Sequence, residues 1–144
     1  MPSGTEVNKR RLPTFLTIGL AAVWFVNGLF CKVLDLVPRH RMIVARILGA
    51  EYASAATRAI GLLELLMVVW ILSGIRPRLC AGTQMIVVAA MVPIECLLTP
   101  DLLLFGRANL VPAGLLIAAV YLDGFVLPRA STDPLSRGGT LLRP

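Results

Sequence analysis

Six polar side chains interrupt the apolar runs of this chain: Asn27, Lys32, Arg58, Glu64, Glu95 and Asn109. A charge taken out of water is costly unless a partner meets it. Lysine, arginine and carboxylates set in apolar sequence therefore point to ion pairing, capture of a polar headgroup or proton exchange. Asn27 and Asn109 add amide donors and acceptors to the same set. Other chemistries lack their residues. One histidine, His40, and scattered carboxylates make no metal-ligand set. Neither GxGxxG nor a GxxxxGKS/T loop occurs, so no nucleotide-binding motif is evident. No Ser–His–acid set is visible. Cys31, Cys80 and Cys96 form no CxxC and read as small apolar filler.

These residues need elements to position them, and the composition says which. Of 144 residues, 57% are apolar and 15% charged, with mean hydropathy +0.81. A soluble domain averages about 45–50% apolar and about 25% charged. The excess calls for lipid as solvent and excludes a disordered chain. Four uncharged or nearly uncharged runs, residues 14–34, 55–75, 79–98 and 108–127, each reach the roughly 20 residues that cross a bilayer as a helix. Runs such as LLMVVWIL do not alternate, against a β-barrel. The expected fold is all-α: an antiparallel bundle of four transmembrane helices with a short interfacial helix between helices 1 and 2. That helix is expected in the 35–54 connection, where Arg39, Arg41 and Arg46, and Arg58 just beyond, alternate with Met42, Ile43, Val44, Ile47 and Leu48. Residues 1–13 are expected as a cytoplasmic N-tail, 14–128 as the membrane domain, and 129–144 as a disordered C-tail. Lys9, Arg10 and Arg11 precede the first run as a signal peptide's would, but no small-residue cleavage site follows. A lipobox at Cys31 fails on Phe30. The first run reads as a retained helix.

The net charge of +6 suggests nucleic acid only if the cations share a soluble face. Here they flank the spans instead. Lys9, Arg10, Arg11, Arg76, Arg78, Arg129, Arg137 and Arg143 fall on one side, and Arg39, Arg41, Arg46 and Arg107 on the other. That asymmetry predicts both termini in the cytoplasm of a bacterial inner membrane. A C-terminal reporter active only in the periplasm would reverse the orientation.

With that topology the polar residues share a depth. Asn27 and Glu64 lie about 12–13 Å below the outer boundary, and Lys32 and Arg58 about 5 Å below it. Glu95 and Asn109 sit near the outer ends of spans three and four. Helical phase gathers Trp24, Asn27, Gly28, Cys31 and Asp35 on one stripe of span one. Gln84, Val88, Met91 and Glu95 form a stripe on span three; Asn109, Ala113, Leu116, Val120 and Asp123 form one on span four. Together the stripes outline a polar pocket in the outer half of the bundle, with Lys32 pairing to Glu95 or Glu64. Blander roles stand beside this one. Lys32 and Arg58 could snorkel to the interface, Glu95 could sit at the boundary, and Asn27 could be interhelical glue. Glu64, deep in its span, fits a structural ion pair as well as a ligand or proton-handling role. Trp24 and Trp70 read as ordinary membrane aromatics, and His40 as a solvated loop residue.

The segments VWFVNGLFCKVLDLVPRH (23–40), IVARILG (43–49), AIGLLELLMVVWILSG (59–74) and MVPIECLLTPDLLLFG (91–106), with Asn109, resemble the DoxX-like family of small four-helix bacterial membrane proteins. Lys32, Gly61 with Glu64, and Pro93 with Glu95 carry the likeness. The resemblance implies an inner-membrane protein tied to a redox enzyme subunit or an NAD(P)-dependent reductase. Two functions follow. One is a membrane subunit or anchor of a redox-linked complex. The other is a quinone- or small-ligand-binding oxidoreductase component using Glu64, Lys32 and Glu95, with a small transporter as a weaker third. No cofactor motif is evident, a quinone being the one left open, as is a homo-oligomer. The bilayer is the expected partner, and nucleic acid is not.

Overall fold

The structure, a computed structural model, describes residues 4–103 and 105–127, with residues 4–13 described by backbone alone. The first helix, α1, runs Gly4–Phe25 and continues without a break into a π-helical segment, Val26–Val33. The wider winding shows where it ends. Leu34 N–H donates to the Leu29 carbonyl five residues back, at 2.9 Å. Asp35 then reverses the chain at φ +51°, a left-handed conformation that short Asp side chains tolerate. The expected 1–13 tail is thus helical in its backbone from Gly4, as one piece with the first span. The expected 129–144 tail lies outside the described residues.

Helix α2 (Pro38–Leu48) opens on proline, whose missing N–H costs nothing in a first turn. It stops at Gly49, φ +97°. Helix α3 follows at once, Ala50–Ser73, and ends on Gly74 at φ +66°. There the Trp70 indole N–H closes the turn onto the Ile75 carbonyl at 2.8 Å. Helix α4 (Pro77–Leu98) again opens on proline and carries Pro93 in its interior. A 3₁₀ turn, Gly106–Asn109, leads into α5 (Leu110–Tyr121), which widens to a π-helix over Leu122–Val126.

Four of these helical stretches are long and apolar enough to cross a membrane: Thr14–Val33, Ala50–Ser73, Pro77–Leu98 and Gly106–Val126. They match the four sequence runs, except that the second starts five residues earlier because α3 begins directly after Gly49. Large apolar side chains stay exposed along them, among them Leu63, Leu66, Val69, Ile86 and Leu97. Among the described residues there are no strands.

The helices run up and down. Lys32 at the end of span one meets Glu64 of α3, and Gly124 at the end of α5 abuts Ala81 near the start of α4. Backbone meets backbone most closely at Gly28 and Gly61, where α1's π-helical segment crosses α3. A Cβ on Gly61 would sit 2.8 Å from the Gly28 carbonyl oxygen, and one on Gly28 would sit 2.8 Å from the Gly61 carbonyl oxygen. Only glycines let two helix backbones come this near. Deeper in the bundle, Ala21, Trp24, Met67, Ile71, Cys80 and Val88 form the main apolar core. Leu20, Ala81 and Val120 form a second.

Helix α2 packs on α3 and is tied to the α4–α5 connection by an Arg46–Asp101 pair at 2.5 Å. The Arg46 guanidinium holds the Asp101 carboxyl below the usual carboxylate range. Arg41 pairs with Asp35 at 2.8 Å across the preceding turn. The two left-handed residues, Asp35 and Gly49, bracket α2.

Candidate functional site

A cavity of about 930 Å³ lies at the α2 end of the bundle, between α1 on one side and α4 and α5 on the other. Five of the six candidates line it: Asn27, Lys32, Glu64, Glu95 and Asn109. Arg58 does not. It is exposed on α3, on a different face from Glu64, as their 120° helical separation requires. An exposed arginine early in a span suits a side chain that extends to the interface.

Lys32 and Glu64 form an ion pair, each about 5% exposed. The π-helix makes this pair part of the Asn27 face. Asn27 and Lys32 are five residues apart, which in an α-helix would turn them away from each other. In a π-helix, whose hydrogen bonds close from i to i+5, they stand about one turn apart. Both then donate to the same oxygen: Lys32 Nζ and Asn27 Nδ2, the latter at 3.3 Å, reach Glu64 Oε1. The Gly28–Gly61 contact brings the two backbones close enough for the lysine to be met inside the bundle.

The carboxylate is filled on one side only. Glu64 Oε2 is buried and has no hydrogen-bond partner among the described residues. Buried polar atoms are nearly always paired, so each exception invites a reason. Glu95 lies within electrostatic reach of Lys32 and Glu64. The rest of the wall is largely apolar, with Val87, Val88, Met91, Val92 and Leu116 among its residues.

Helical phase puts Trp24 and Cys31 on the pocket-facing stripe, though as no more than a membrane aromatic and apolar filler, and it misses His40. Trp24 lines the cavity, and its indole N–H donates to Gln84 Oε1 at 2.9 Å, tying span one to α4 beneath the ion pair. Gln84 in turn approaches Cys80 Sγ at 3.5 Å. Cys31 faces the cavity. His40, expected to be solvated, instead lines the cavity half-buried. Its signal was present: His40 lies three residues before Ile43, the buried residue of α2, and so shares its face. Nearer the opposite end, Thr17 Oγ1 donates to Asp123 Oδ1 at 2.7 Å.

Burial lowers the His40 pKa to about 4, and Lys32 and Arg39 push it the same way; the Val37 carbonyl opposes them. The imidazole is therefore neutral at pH 7. Between the ordinary value of 6.5 and about 4, the unfolded chain binds a proton here that the folded chain does not. This contribution to stability is complete above pH 6.5 and is lost as pH falls toward 4. Unfolding in detergent, followed from pH 7 to 4.5, should show that loss, and His40→Phe should flatten it. An unchanged slope in the variant would remove His40 as its source.

Among the described residues no group of three His, Cys, Asp or Glu could hold a metal ion. A family model described as the DoxX-like family matches residues 21–122, a stretch holding every residue that lines the cavity. No curated protein and no solved structure matches the chain.

Proposed function

The chain belongs to the DoxX-like family and is a multi-pass membrane protein, and we propose that it is a membrane subunit of a redox-linked assembly whose task is to hold a small amphiphilic ligand of the quinone class in this cavity. One observation carries the proposal: a buried lysine–glutamate pair on the wall of a largely apolar cavity of about 930 Å³, one of whose carboxylate oxygens has no hydrogen-bond partner among the described residues. Ligand sites are typically apolar pockets of roughly 300–1,000 Å³ with a few placed polar groups. A ring with two oxygens and an apolar tail suits such a wall. Lys32 and Asn27 offer donors to a carbonyl, and Glu64 Oε2 offers an acceptor to a hydroxyl.

The redox partner and the quinone class enter from the family resemblance; the cavity chemistry supports an amphiphile more generally. The surplus of Lys and Arg at the termini and at the α3–α4 turn supports an inner-membrane orientation with both termini cytoplasmic. The cavity then opens in the outer half of the bundle, and α2 lies at the outer interface with its arginines toward water.

Trp24 lines the cavity and supplies the readout. A Trp70→Phe protein in lipid nanodiscs leaves it as the only tryptophan. A short-chain benzoquinone should quench it saturably beyond its partition into empty nanodiscs. The Lys32→Met/Glu64→Gln variant should lose at least about tenfold in affinity, as loss of buried charged hydrogen bonds implies. Quenching no greater than free partition, by the quinone and by its reduced quinol alike, would sink the proposal.

A further inference from the structure

The two oxygens of Glu64 are not equivalent. Oε1 accepts from Lys32 Nζ and from Asn27 Nδ2. Oε2 is buried, on a residue 5% exposed, and accepts from nothing among the described residues. A carboxylate held in an ion pair is an acceptor only. Whatever settles on Oε2 must therefore bring a proton to share, and a carbonyl or ether oxygen placed there would face a lone pair.

We propose that the cavity selects its ligand as a hydrogen-bond donor: a head bearing a hydroxyl, of the quinol or phenol class, bonded to Glu64 Oε2, in preference to the same head carrying only carbonyls or ethers. This rests on the ligand-binding reading above and adds the sense of the selection. The anchoring oxygen is fixed from two sides. Lys32 and Asn27 hold Oε1, and the Gly28–Gly61 contact holds the two backbones behind it, so the carboxylate is pinned with Oε2 left over. A donor arriving there gains a charge-assisted bond. A donorless head leaves a buried charged oxygen unmet. Sites built to receive a hydroxyl discriminate steeply against analogues that lack one, because their own polar atoms stay unpaired. Water can meet the same oxygen, and matched ligands of one shape separate that case from direct bonding.

The test is equilibrium binding of three matched compounds to the Trp70→Phe protein in nanodiscs, read by Trp24 fluorescence under anaerobic conditions. They are a short-chain benzoquinol, its O,O-dimethyl ether and the corresponding quinone. The quinol should bind about 10–100-fold more tightly than its dimethyl ether, after correction for partition into lipid. Glu64→Gln sets an amide that can donate where the carboxylate only accepts, and should collapse the quinol's advantage to within about threefold. The wild-type comparison stands alone if that variant does not fold. Equal affinity for all three compounds overturns the donor rule and leaves the ligand-binding reading intact. Binding by none of them overturns both.

Discussion

Lys32→Met should destabilise the folded bundle by about 3–5 kcal/mol, the usual cost of stripping a buried ion pair of one partner. The cost does not measure the worth of the pair. It arises because Glu64 stays behind, 5% exposed, with Asn27 at 3.3 Å as its one remaining donor among the described residues. A lone charge inside a membrane span carries its own penalty of a few kcal/mol, of contested size. The double variant Lys32→Met/Glu64→Met should recover most of the loss, since two apolar side chains of similar volume leave no charge to satisfy. Reversible unfolding in mixed micelles measures both. A single variant within about 1 kcal/mol of wild type, or a double variant as damaged as the single, would refute the pairing. Arg46→Ala offers the contrast. Its pair with Asp101 lies in the open, and exposed pairs of this kind contribute about 0–1 kcal/mol.

Gly61→Ala should cost about 2–3 kcal/mol and weaken ligand binding with it. The new methyl would meet the Gly28 carbonyl oxygen at 2.8 Å, the Lys32 Cβ at 2.9 Å and a Val33 methyl at 2.9 Å. Two of these neighbours are backbone or backbone-proximal and cannot swing aside. The helices must separate, and overpacking of this sort costs about 1–3 kcal/mol. Separation also draws Lys32 from Glu64, so the Trp24 quenching assay should lose affinity in parallel. Gly114→Ala is the control, since nothing lies within 4 Å of the added Cβ. Equal stability of the two variants would mean that the close contact between the first span and α3 is not what sets the pair.

The spans were legible because lipid demands one thing of sequence: a long apolar run closed by charge or proline. Thr14–Val33 and Pro77–Leu98 lie within two residues of the sequence expectation. Residue depth was legible for the same reason, and it gathered Asn27, Lys32, Glu64, Glu95 and Asn109 at one end. Azimuth was less so. A period of 3.6 places Asn27 and Cys31 on one stripe and leaves Lys32 off it. The π-helical winding from Val26 to Val33 restores Lys32 to that face, and apolar sequence carries no mark of it. Arg58 is expected at the depth of Lys32 yet is exposed and does not line the cavity, a direction that depth alone cannot resolve. Histidine beside two arginines reads as solvated, although the amphipathic pattern already legible in residues 35–54 puts His40 one turn from Ile43. The Trp24–Gln84 bond joins residues sixty apart, a pairing that only packing decides.

The lysine and the glutamate stand 32 residues apart in the chain, and the lysine comes first. Synthesis at about 5–20 residues per second puts about 2–6 s between them. For that interval the first span is complete while its cation has no counter-ion. It is a poor candidate for release into lipid by itself. On the proposed topology the first span and α3 would then be matched for insertion as one hairpin, with α2 as the stretch between them. Substitutions at Glu64 would then be felt at the translocon, as inefficient integration of a helix that does not contain the altered residue.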